Sequence, residues 1–122
     1  MNFKKLGRSI GFAWMGIVAL WRGQQNFRIE IGATIFILAM TYVFHIKPIE
    51  RGIIILMILL VLAAEIMNSV FENILDGISI KKNEKFRIAK DIMAGMVLIM
   101  AMGAVAVAII IFYPYVRFLV VG

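Results

Sequence analysis

The chain has 122 residues, of which 63% are hydrophobic and only 16% charged, and its mean hydropathy is +0.98. Soluble domains run nearer about 45–50% apolar and about 25% charged, so this composition excludes a soluble globular protein and points to an integral membrane one. The net charge is +6, and the lack of Cys excludes disulfides, thiolate metal sites and a cysteine nucleophile. With one His in the chain, chemistry has to rest on carboxylates, amides and amines, and no nucleic-acid partner is expected.

In chain order, residues 1–26 read as an amphipathic surface helix. Phe3, Leu6, Ile10, Ala13, Ile17 and Trp21 recur at helical spacing, with Lys4, Lys5 and Arg8 near the start and Trp14 and Trp21 as interfacial rings. A cleaved signal peptide is the weaker reading, because Gly7, Arg8, Gly11, Gly16 and Arg22 interrupt the apolar part and no small-residue cleavage site follows. The first membrane span is expected over 27–47, with Glu30 near its start and His45 as an interfacial residue at its far end. After a tight turn, the second is expected over 50–76: Gly52 to Ala64 is wholly apolar, and Gly77 supplies a stop. The third is expected over 88–116. Its Ala94, Gly95, Ala101, Gly103 and Ala104 allow close helix packing, and Tyr113-Pro114-Tyr115 with Arg117 reads as a Pro-ended interfacial anchor. The expected fold is a single all-α membrane domain of one surface helix and three transmembrane helices.

The basic residues are unevenly placed. Lys4, Lys5, Arg8, Arg22 and Arg28 precede the first span, and Lys81, Lys82, Lys85, Arg87 and Lys90 lie between the second and third, which makes ten on one side against Lys47, Arg51 and Arg117 on the other. The positive-inside rule therefore predicts a cytoplasmic N-terminus and 77–90 loop, with the C-terminus outside.

Against this apolar background stand Glu65, Asn68, Glu72 and Asp76, spaced by three and four, with Ser69 beside them. On an α-helix they share one face. A charge at membrane depth costs about 2.5–3.5 kcal/mol on insertion scales, so aligned acids need a cation, a proton or a polar partner. Glu65 lies about 20 Å along the helix from Gly52, which leaves Glu72 and Asp76 near the cytoplasmic boundary, level with Lys90-Asp91. Carboxylates that hold Mg²⁺, cations that hold phosphates and a carboxylate that takes a hydroxyl proton form the set that metal-nucleotide chemistry on a lipid headgroup needs.

The stretch from Glu65 to Asp76, Glu-x-x-Asn-Ser-x-x-Glu-x-x-x-Asp, followed by Lys90-Asp91 and preceded by Asn26-Phe27-Arg28-Ile29, resembles the signature of the prokaryotic diacylglycerol kinase and undecaprenol kinase family. The resemblance covers nearly the whole chain. It implies a homotrimer with active sites between subunits at the cytoplasmic interface, moving the γ-phosphoryl of ATP, with Mg²⁺, to a membrane lipid hydroxyl in the bacterial inner membrane. By motif position, Glu65 resembles the general base, Asn68 the polar residue that organises the site, and Glu72 the main metal carboxylate. Lys90, Asp91, Asp76 and Lys5 fall among nucleotide-binding positions, Glu30 and Trp14 among those for the lipid, and the surface helix would gate lipid entry. The chain departs from the family pattern at Gln24, where a second metal-binding Glu is usual, at Lys82-Asn83 in place of an aromatic-His pair, and at the larger Val70 and Phe71.

Each residue also has a structural reading. Glu65 and Asn68 can hydrogen-bond across helices to fix packing, Glu72 and Asp76 can be solvated acids at a helix end, and Lys90 can snorkel while Asp91 starts a helix. Two alternatives follow for the whole chain: a degenerate, non-catalytic family member, and a small multidrug-type transporter.

Overall fold

A computed structural model describes residues 1–78 and 84–122; Lys81 and the Lys82-Asn83 pair discussed above lie outside the described residues. Among the described residues, four helices make up the architecture: α1 (Phe3–Gly23), α2 (Gln25–Val43), α3 (Pro48–Ile78) and α4 (Glu84–Val121). The protein is all-α, and α2, α3 and α4 are long and apolar enough to cross a membrane. At 1.5 Å per residue α3 is about 46 Å long and α4 about 57 Å, well beyond the roughly 30 Å hydrocarbon core, so both extend polar ends past it.

Helix α1 begins on Asn2, whose side-chain oxygen accepts the Lys5 N–H at 3.2 Å, the usual N-cap arrangement. None of its residues is buried, and Phe3, Phe12, Trp14 and Met15 stand exposed. Its break from α2 falls on Gln24, which is extended at φ −124° and ψ 108°. Arg28 holds that corner: its guanidinium donates to the Trp21 carbonyl at 2.9 Å and the Arg22 carbonyl at 3.3 Å, placing a cation on the open C-terminal carbonyls of α1.

The α2–α3 turn is a Schellman cap. The Ile46 N–H bonds the Thr41 carbonyl at 3.0 Å and the His45 N–H the Tyr42 carbonyl at 3.2 Å, with His45 left-handed at φ 52°. That position usually holds Gly, because a Cβ there is strained. Arg51 locks the turn. It donates to the Thr41 hydroxyl and carbonyl, both at 3.1 Å, and lies 4.1 Å from the centre of the Tyr42 ring, while Pro48 occupies the first position of α3, where its missing N–H costs nothing.

Helices α3 and α4 form the most extensive pairing, antiparallel and pinned at both ends. At one end Asp76 pairs with Lys90. At the other the Tyr115 hydroxyl donates to Glu50 at 2.6 Å and accepts the Lys47 N–H at 3.2 Å. The pins are about 39 Å apart along α3 and about 37 Å apart along α4, close to the thickness of a bilayer with its interfaces. Near the Tyr115 end, Ile46, Ile54 and Ile111 form the buried apolar cluster.

The expected helix end at Tyr113-Pro114-Tyr115 is corrected: α4 passes through Pro114 to Val121. Proline deletes one backbone bond and crowds the preceding turn. Contacts on both sides compensate, the Tyr115 pin after it and before it an edge-to-face stack of Phe112 on Phe44 with centroids 6.0 Å apart.

Replacing His45 by Gly is expected to raise unfolding stability in detergent by about 1 kcal/mol, since it removes the left-handed Cβ strain. Thr41→Val is expected to lower it by about 1–3 kcal/mol, because the Arg51 guanidinium loses a buried acceptor. Thermal or denaturant unfolding followed by circular dichroism reads both.

Candidate functional site

Burial along α3 runs opposite to that of a soluble helix. Glu65 is 3% exposed, Asn68 9% and Ser69 1%, whereas Leu56, Leu59, Met67 and Ile74 are exposed. With lipid as the solvent, apolar side chains face outward without cost and polar ones turn to other helices.

Glu65 faces Glu30 of α2, and Glu72 follows two turns further along α3. One Glu30 oxygen, Oε2, is buried without a partner. Asn68 bridges toward Glu72, with Nδ2 3.5 Å from Oε1, and its own Oδ1 is buried and unpaired.

At the surface end, Lys90 reaches back across the helix pair to Asp76. Asp91 is engaged by Arg87 at 3.2 Å, and Arg87 also pairs with Glu84. These are exposed groups, and such pairs contribute little to stability. Their value lies in placing two cations, Arg87 and Lys90, one helical turn apart beside the acidic face.

Among the predicted site residues, the structure brings together Glu30, Glu65, Asn68 and Glu72 as one polar set, and joins Asp76 to Lys90 at the surface. Gln24 lies at the α1–α2 corner in a cleft shared with Ser69 and Asn73. Lys5 and Trp14 lie on the exposed surface of α1, and no hydrogen bond or ion pair among the described residues links them to the acids. Sequence reasoning gave no site role to Arg28, which sets the Gln24 corner, to Arg87, which engages Asp91, or to Asn73. Arg87 entered only as a member of a basic count and Arg28 as that and as part of the Asn26–Ile29 stretch, and nothing local distinguishes a capping or pairing Arg from a solvated one.

No group of three or more acids or His that could hold a metal by itself occurs among the described residues. The set fits Mg²⁺ when phosphates supply further oxygens, since this ion commonly takes one or two carboxylates plus substrate phosphates. The Glu72 carboxylate and the unpaired Asn68 Oδ1 are hard oxygen donors of the right kind.

A second opening runs between α2, α3 and α4, a cleft of about 220 Å³ with Glu30 at one end and Ala101, Ala104 and Ala108 of α4 in its wall. The small residues of α4 thus leave an apolar groove as well as permitting close packing.

Fold and site together define an all-α membrane protein with an acidic helix face reaching a basic surface. Residues 11–112 match the family model for prokaryotic diacylglycerol kinase, and the chain belongs to that family. It is 30% identical over 109 residues to a diacylglycerol kinase of Escherichia coli strain K12, covering 89% of this chain and 86% of that protein. It is 31% identical over 100 residues to a diacylglycerol kinase of Synechocystis, covering 81% of this chain but only 57% of that protein. An undecaprenol kinase of Bacillus subtilis is 29% identical over 107 residues, covering 88% of this chain and 87% of that protein.

Glu30→Gln replaces the carboxyl that faces buried Glu65 with a neutral donor. It is expected to raise unfolding stability by about 1 kcal/mol, as relief of a strained functional site commonly does, and thermal unfolding in detergent checks it.

Proposed function

We propose that the chain transfers the γ-phosphoryl of ATP to the hydroxyl of a membrane lipid, with Glu65, Asn68, Glu72 and Lys90-Asp91 as the working residues. Membership of its family makes the chain a lipid kinase; the roles of individual residues are our assignment. The observation that carries it is the continuity of the acidic face from buried Glu65 to Asp76 and its ion pair with Lys90.

Glu65 takes the proton of the lipid hydroxyl, and that oxygen then forms a bond to the γ-phosphorus as the bond to the β-phosphate oxygen breaks, releasing ADP. Its burial beside Glu30 keeps water from competing for the phosphoryl group. Asn68 holds the Glu72 carboxylate in place, and Glu72, with the neutral amide of Gln24, would hold Mg²⁺. When bound, that ion neutralises the charge spread over the phosphate oxygens. Lys90 exchanges Asp76 for a phosphate, Asp91 organises the pocket, and Lys5 adds a cation from α1. Trp14 and Glu30 border the path of the lipid. Such a site needs little covalent chemistry from the protein, because positioning and charge neutralisation lower most of the barrier.

The distribution of Lys and Arg supports a cytoplasmic N-terminus and site, with the C-terminus outside, in a bacterial inner membrane. A homotrimer with sites between subunits is the arrangement that the family resemblance implies. The exposed apolar flank of α1 is compatible with cover from lipid or a second subunit.

The test is direct: purified protein in lipid with MgATP and candidate lipid alcohols. Glu65→Gln and Glu72→Gln are each expected to lower kcat by at least about 10²-fold, the scale of a lost general base or charge clamp, with the oligomer intact by size-exclusion chromatography. Full activity in both variants assigns these residues to packing. Gln24→Glu is expected to lower the Mg²⁺ concentration for half-maximal rate by about tenfold, because it adds a charge to the metal's ligands; an unchanged Mg²⁺ titration removes Gln24 from the metal site.

A further inference from the structure

A cleft between α1 and α3 is lined on one side by Gly16, Ile17 and Leu20 and on the other by Ser69 and Asn73, with Gln24 at the helix corner. Ser69 is 1% exposed, and its hydroxyl has no partner. A serine within a helix commonly donates to the carbonyl one turn earlier. Here that bond is absent, so a buried donor stands unpaired beside an opening. An unmade hydrogen bond of this kind costs about 1–3 kcal/mol, which a ligand recovers.

Resting on the kinase reading above, we propose that Ser69 and Asn73 read the acceptor lipid and select a glycerolipid, whose hydroxyl is flanked by ester carbonyls, over a polyprenol. The polar groups of the cleft are two primary amides and a hydroxyl. All can donate, none is charged, and no charged residue lines the cleft among the described residues. That donor set suits a neutral headgroup rich in acceptors. Diacylglycerol brings two ester carbonyls beside its hydroxyl, whereas a polyprenol brings one hydroxyl and leaves donors unpaired. Ser69 lies four residues, about 6 Å of rise, from Glu65 on the same helix. A headgroup on Ser69 therefore brings its hydroxyl toward the base, while Ile17 and Leu20 meet its chains. Apolar tails alone discriminate weakly. A site built to hydrogen-bond a polar group rejects analogues that lack it far more strongly.

The experiment compares kcat/KM for dioleoylglycerol, for the matching dialkylglycerol ether, which keeps the hydroxyl and chains but loses both carbonyls, and for undecaprenol, all in one detergent–lipid system. Wild-type protein is expected to prefer the diacyl lipid over each by at least about tenfold, a modest value for loss of a matched hydrogen bond. Ser69→Ala and Asn73→Leu are expected to bring the diacyl-to-ether ratio to within about threefold, whereas Ser69→Thr, which keeps the hydroxyl, preserves it. A purely structural role lowers the rate on all three lipids together and leaves the ratio unchanged, which overturns the proposal even if one variant folds poorly. Equal use of the ether, or preference for undecaprenol, also overturns it while leaving the kinase reading in place. Phosphorylation of none of the three by the folded wild type removes both.

Discussion

Polar groups at membrane depth have no water to turn to, and the rest of this molecule is arranged around that constraint on α3. Glu65, Asn68 and Ser69 are among the most buried side chains of the protein, while Leu56, Leu59, Leu60 and Met67 of the same helix face outward. A hydrocarbon solvent inverts the usual sorting, so the inside of the helix group is where acids and amides find partners. Glu30 on α2 meets Glu65 for this reason. Some polar atoms stay unpaired even so: Glu30 Oε2, Asn68 Oδ1 and Ser69 Oγ are buried without a hydrogen bond. Buried orphans are rare in stable structures, and three of them lie here on the facing sides of α2 and α3.

The helix ends turn this constraint into a fixed geometry. Pins at Asp76–Lys90 and at Glu50–Tyr115–Lys47 set the level of α3 against α4, so that the acids and the basic start of α4 stay at one depth. The Arg51 clamp and the Schellman turn fix how α2 returns into α3, which places Glu30 opposite Glu65. Arg28 fixes the corner that carries Gln24. Arg51 and Arg28 each satisfy open helix-end carbonyls with a cation.

Much of the site was legible from spacing alone. Glu65, Asn68, Glu72 and Asp76 share a helix face by periodicity, and the cost of such groups in lipid singled out that face as the candidate site. Lys90 came into view because the basic loop returns at the level of Asp76. The partnership of Glu30 with Glu65 was not legible, since it depends on the rotation of α2 about its axis, and a span apolar on all sides carries no periodic signal for that rotation. His45 was equally opaque: Schellman caps are recognised by Gly, and here the left-handed residue has a side chain. Pro114 pointed to a helix end that tertiary contacts of Phe112 and Tyr115 override.

The sequence by itself determined that the chain spans a membrane, how many helices cross it and which helix carries the acids, because hydropathy and the 3.6-residue repeat are local properties of a chain in lipid. Only the tertiary structure decided which buried polar atoms find partners and which remain open. It paired Glu65 with Glu30, tied Asp91 to Arg87, and left Ser69 unbonded in a cleft with Gln24 and Asn73. Those outcomes depend on the rotation and level of whole helices, set by a few contacts at their ends, and no local pattern encodes them.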